Sequence, residues 1–147
     1  MPQQGSGDIE SVDASLESTL DSVDVAEADA LRVAEEIGFD EDDLHKIGMA
    51  VRECMVNAVV HGNRYSAKKR VHFHVSKNDG RLAITIRDEG EGFDLTALPD
   101  PLAEENLLRQ SGRGLLLIQA FMDELIVTRG QPSGTEVKMV KYLAPAS

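Results

Sequence analysis

The chain has 147 residues, 41% of them hydrophobic, which is the size of one ordinary domain and enough for a single continuous core. A formal charge of -11 lacks the basic stripe that holds a phosphate backbone, so no direct nucleic-acid binding is expected; the acidity serves solubility or steering towards a basic partner. One cysteine, no stretch near the ~20 apolar residues of a membrane span and no charged start before an apolar run point to a cytoplasmic protein without a disulfide.

Residues 1–7 read as a disordered tail, 8–143 as one domain and 144–147 as a second tail. Ile9, Val12, Leu16 and Leu20 recur with a mixed period among Ser and Asp, which predicts a poor edge strand followed by a turn. Ser22 or Asp24 can cap a helix over 25–37, where Ala26, Ala30, Val33, Ala34 and Ile37 share a face and Gly38 ends the run. The acidic residues 40–43 suit the positive end of a second helix, whose stripe Leu44, Ile47, Val51, Cys54 and Ala58 stops near Gly62.

Residues 70–77 alternate, with Val71, Phe73 and Val75 on one face and His72 and His74 on the other. Asn78-Asp79-Gly80 is a hairpin signal, and 81–88 alternates again with Leu82, Ile84, Ile86 and Asp88 together. Between 94 and 110 the pattern dissolves around Pro99 and Pro101, as in a lid. A short helix over 115–122 and strands over 124–129 and 135–142 complete the chain, the last with Thr135, Val137 and Met139 on one face. The order β, α, α, β, β, lid, α, β, β predicts an α/β (α+β) two-layer sandwich, with helices on one face of a mostly antiparallel, mixed sheet.

Four short motifs sit between these elements. Glu53, Asn57 and His61 are spaced i, i+4, i+8, so on a regular helix they form one slowly turning stripe beside the apolar one. Glu53 is either a boundary charge facing water or a general base. Asn57 amid Met55, Val56, Ala58 and Val59 needs a partner for its amide, and Mg²⁺, which takes one or two protein oxygens beside phosphate and water, is one. Strand parity puts Asp88 at the end of a core face, where a carboxylate without a partner is costly. It either organises the turn at Glu89-Gly90 or accepts from an exocyclic amine such as adenine N6. Gly90 and Gly92 permit the backbone to approach a flat ligand. Gly112-Arg113-Gly114 before a helix is either a hinge or an anion site, with Arg113 either on a phosphate or in solvent. Thr135 faces the core, so its hydroxyl wants a carbonyl or a shared water. His72 and His74 have no Cys or carboxylate at ligand spacing and read as exposed sheet surface, and Cys54 as a small buried hydrophobe.

With these residues the chain resembles the Bergerat-fold (GHKL-type) ATPases, and among them the anti-sigma-factor serine/threonine kinases, over residues 9–143. The likeness is carried by residues 53–63, by the box Asp88 to Phe93, by Gly112, Arg113, Gly114 and Leu115, and by Gly134-Thr135. The resemblance implies a short ATP lid between Phe93 and Arg113, Mg²⁺ bound through Asn57, adenine held by Asp88, and Glu53 as catalytic base; His61, Gly90, Gly92, Phe93, Gly112, Gly114, Leu115 and Thr135 complete the ATP site. It also implies partners: a STAS-type anti-anti-sigma protein that is phosphorylated and a sigma factor that is silenced, usually by a homodimer. An ATP-dependent binding module without catalysis and a detached histidine-kinase catalytic domain are the competing readings.

Overall fold

The computed structural model of the chain describes residues 10–90, 114–129 and 133–143. Five strands form one sheet in the order β1-β2-β3-β5-β4: β1 (Glu10–Glu17), β2 (Arg70–Asn78), β3 (Arg81–Arg87), β4 (Glu124–Arg129) and β5 (Thr135–Tyr142). All four pairings are antiparallel, so the described sheet is not mixed. Helices α1 (Leu20–Ile37), α2 (Glu41–Val56) and α3 (Gly114–Phe121) pack with the sheet around one core. The two-layer arrangement anticipated from the element order is thus present.

The N-terminal strand is more regular than its apolar residues indicate, because Ala14 joins Val12 and Leu16 in strict alternation. Its register sets these three opposite Val75, Phe73 and Val71, and Phe73 is 1% exposed. Truncating such an aromatic core side chain to Ala costs about 3–5 kcal/mol. On the other side of the hairpin, which turns at Asp79-Gly80, Leu82, Ile84 and Ile86 line the same buried layer.

Helix α1 begins at Leu20 rather than near Val25, and Thr19, not Ser22 or Asp24, occupies the capping position. The buried face begins a turn early, with Ser22 and Val23 preceding Ala26, Ala30 and Val33, and that burial outweighs the capping preference of Ser and Asp. Asp24 instead pairs with Arg52 of α2 at 2.8 Å, beside Glu27 at 2.7 Å. Helix α2 starts as its acidic run requires: Asp40 accepts from the Asp43 N–H at 2.9 Å, and Glu41, Asp42 and Asp43 occupy the positive first turn.

Its C-terminal end departs from a regular helix. Residues Asn57–Gly62 form a π-helical turn, with Asn63 N–H reaching back five residues to the Ala58 carbonyl at 2.8 Å. Such turns add a residue to the helical repeat and rotate everything beyond them. Ala58 and Val59 stay buried while His61 turns out to solvent.

Candidate functional site

The end of α2, the π-helical turn, the segment after β3, the start of β5 and the start of α3 converge on one region. Glu53 and Asn57 are half-buried on consecutive turns, where the backbone of α3 meets them at Gly114. A Cβ at Gly114 would lie 2.9 Å from both Asn57 Nδ2 and Glu53 Oε1, so these two polar groups face one small space that only a glycine leaves open. Among the described residues neither side chain has a hydrogen-bond partner.

Asp88 follows β3 directly and is 6% exposed. Its Oδ1 accepts from the N–H groups of Gly90 at 2.9 Å and Thr135 at 3.2 Å, and its own N–H donates to the Thr135 carbonyl at 3.1 Å. Oδ2 has no hydrogen-bond partner among the described residues. Burial pushes the Asp88 carboxyl above the ordinary range, opposed by those two N–H groups and by the charges of Lys69 and Arg87. The turn and ligand roles open to Asp88 are therefore compatible: one oxygen organises the turn and the other has no partner among the described residues.

The surrounding backbone is packed without room for side chains. A Cβ at Gly62 would collide with the Asp88 carboxylate, and one at Gly90 would strike the Gly62 carbonyl group. Gly134 has φ +90, and a Cβ there would sit 2.7 Å from the Asp88 carbonyl carbon.

Two residues inside the sequence motifs, neither given a role by local pattern, hold this region in place. Asn63 is 1% exposed; its amide donates to Ser18 Oγ at 2.9 Å and the Arg70 carbonyl at 3.0 Å, and its Oδ1 accepts from the Glu89 N–H at 2.7 Å. Glu89 accepts from the Arg70 N–H at 3.0 Å and lies 2.6 Å from His72 Nε2. The Arg70 N–H and the His72 ring hold the Glu89 carboxyl below its usual range. His72 is thus a partner of the loop as well as part of the sheet surface, while His74 pairs with Asp13 at 2.5 Å.

The structure therefore gathers Glu53, Asn57, Asp88, Gly90, Gly114 and Thr135, while His61, on the π-helical turn, is exposed. Leu115 is 4% exposed and belongs to the core. Thr135 contributes its backbone N–H and C=O, with its side chain half-buried. Gly92, Phe93, Gly112 and Arg113, and with them the lid, lie outside the described residues. Cys54 is buried beneath the site, and burial, followed by the Asp88 and Glu53 charges, drives its thiol far up.

A family model described as the histidine kinase-like ATPase domain matches residues 16–141. The chain belongs to that family. The residues gathered here sit at the ends of α2 and β3 and the starts of α3 and β5. Anti-sigma F factors from Bacillus thuringiensis (strain Al Hakam), Bacillus mycoides (strain KBAB4) and Bacillus anthracis (strain CDC 684 / NRRL 3495) are each 34% identical over 105 residues, covering 70% of this chain and 72% of theirs. The structure of the RsbU and RsbW domains of Rv1364c from Mycobacterium tuberculosis superposes with a TM-score of 0.64 at 20% identity, covering 90% of this chain and 32% of that longer one. That likeness is one of fold.

Proposed function

We propose that this chain is an ATP-dependent protein serine/threonine kinase and anti-sigma factor: a cytoplasmic homodimer that phosphorylates a STAS-type anti-anti-sigma protein and sequesters a sigma factor. The observation that carries the kinase half is the space at Gly114, where Glu53 and Asn57 face each other without partners among the described residues while Asp88 presents a spare oxygen one loop away. Membership of an ATPase family and relatives that are anti-sigma F factors support the reading.

Each residue then has a task. Asp88 Oδ2 accepts from the adenine N6 amine, and the close backbone packing at Gly62, Gly90 and Gly134 holds the Asp88 carboxylate in place. Asn57, whose amide has no hydrogen-bond partner among the described residues, would give its amide oxygen to a Mg²⁺ that also takes phosphate and water oxygens. When bound, the ion neutralises phosphate charge and orients the γ-phosphoryl group. Glu53 takes the proton of a serine or threonine hydroxyl as its oxygen bonds to the γ-phosphorus; the bond to the bridging oxygen breaks and ADP leaves.

The test is transfer of radiolabel from γ-labelled ATP to a cognate STAS partner, with sigma-factor binding measured in parallel. Label on serine or threonine is expected, and Glu53→Ala should abolish it with little change in ATP affinity. Tight ATP binding without label on any partner would replace the kinase by a binding module, and label on a histidine of a separate protein by a histidine-kinase domain.

A further inference from the structure

We infer that Glu89 is a positioning residue for the purine end of the site, acting through Asp88 and Gly90 and anchored by His72 and Asn63. The inference rests on the nucleotide reading above.

Glu89 is held at every polar group it has. Its amide N–H donates to Asn63 Oδ1 at 2.7 Å, its carbonyl accepts from Ser133 Oγ at 3.4 Å, and its two carboxylate oxygens take the Arg70 N–H at 3.0 Å and His72 Nε2 at 2.6 Å. The anchors are fixed in turn. Asn63 bridges Ser18 and the Arg70 carbonyl, and Ser18 Oγ donates to the Lys69 carbonyl at 2.6 Å. The end of β1, the start of β2 and the π-helical turn thereby clamp one residue.

That residue lies between the two that matter for a purine. Asp88 spends Oδ1 on the Gly90 and Thr135 N–H groups, so the direction of Oδ2 follows from the peptide planes on either side of Glu89. Backbone continuity alone does not demand a carboxylate here. The side chain instead runs back across β2 to a histidine on the open face of the sheet, where a charge-assisted pair resists rotation of the loop. An adenine presents an N–H donor to Oδ2 and a guanine a carbonyl at the same edge, so the angle of this oxygen sets selectivity as well as affinity.

Titration calorimetry of the full chain with Mg-ATP and with Mg-GTP tests this. Glu89→Gln, which keeps an acceptor for the Arg70 N–H but loses the charge, and His72→Ala should each weaken ATP about tenfold, equivalent to about 1.4 kcal/mol, and shrink the preference for ATP over GTP. His72→Gln, whose amide can still donate to Glu89, should restore both. Unaltered affinity and preference in Glu89→Gln and His72→Ala, with wild-type protein binding ATP selectively, would overturn the positioning role alone. Equal weakening of both nucleotides together with a lowered melting temperature would also overturn it, as a general loss of packing. A wild-type chain that binds neither nucleotide would instead remove the reading on which it rests.

Discussion

Gly114→Ala separates the fold from the site. The added methyl would lie 2.9 Å from Asn57 Nδ2 and from Glu53 Oε1 and 3.4 Å from Glu53 Cγ, and all three belong to side chains that can swing away. Gly114 is the first residue of α3, where alanine has no interior-helix advantage over glycine, but the three atoms can move aside, so the free protein should melt within about 3 °C of wild type. The nucleotide complex has no such escape, because the methyl fills the space between the proposed base and the amide. Wild type at about 100 times its dissociation constant gains roughly 2.7 kcal/mol from Mg-ATP, a rise of about 5–10 °C for a chain of this size. A loss of affinity of about a hundredfold at the same concentration leaves about 0.4 kcal/mol, and a displacement of ~1 Å at the base cuts transfer about 100-fold. Thermal melts with and without Mg-ATP and a single-turnover transfer assay read both quantities. A Gly114→Ala protein that keeps the full shift and the full rate would refute the roles proposed for Glu53 and Asn57.

Other perturbations read the same region independently. Because burial raises the Asp88 carboxyl above its ordinary 3.8, the folded state holds the proton longer than the unfolded one, so stability declines as pH rises from that value through the folded one; Asp88→Asn should flatten this decline in urea titrations followed against pH and erase most of the Mg-ATP shift. Glu89 has the opposite sign: its contribution is present above 4.5 and is lost as pH falls through its lowered folded value, so Glu89→Gln should weaken the acid limb of the same curves. Gly134→Ala meets a φ of +90 and the Asp88 backbone rather than flexible side chains, and should cost about 2–4 kcal/mol in urea unfolding. Cys54 should resist thiol reagents in the native protein and react once urea unfolds it; fast native labelling would contradict its burial.

What was legible in the sequence was whatever a local period or a short-range signal encodes. Alternation placed Asp88 with Leu82, Ile84 and Ile86 on the buried face, and Asp79-Gly80 turned the hairpin with the register that this requires. The acidic start of α2 and the stop of α1 at Gly38 were equally local. Long-range contacts were not readable. Asn63 meets Ser18 across 45 positions and Glu89 across 26, and no periodicity announces either bond. The π-helical turn escaped for a related reason: a stripe at i, i+4, i+8 assumes one helical repeat throughout, and the extra residue between Asn57 and Gly62 carries His61 out of it. Buried Val23 likewise extended α1 beyond the cap that Ser22 and Asp24 advertise.

The placement of Asp88 conflicts with stability in a way that separates function from packing. A turn needs only one acceptor, which an asparagine at the end of β3 supplies as well as an aspartate, without the cost of burying a charge. The chain keeps the acid, opposes its burial with two backbone N–H groups and the charges of Lys69 and Arg87, and packs glycine backbone at 62 and 134 directly against it. Local choices that disagree with the stability of the fold concentrate where a ligand completes the structure. On the nucleotide reading proposed above, the group that completes the structure at Asp88 is a hydrogen-bond donor, as an adenine N6 amine is.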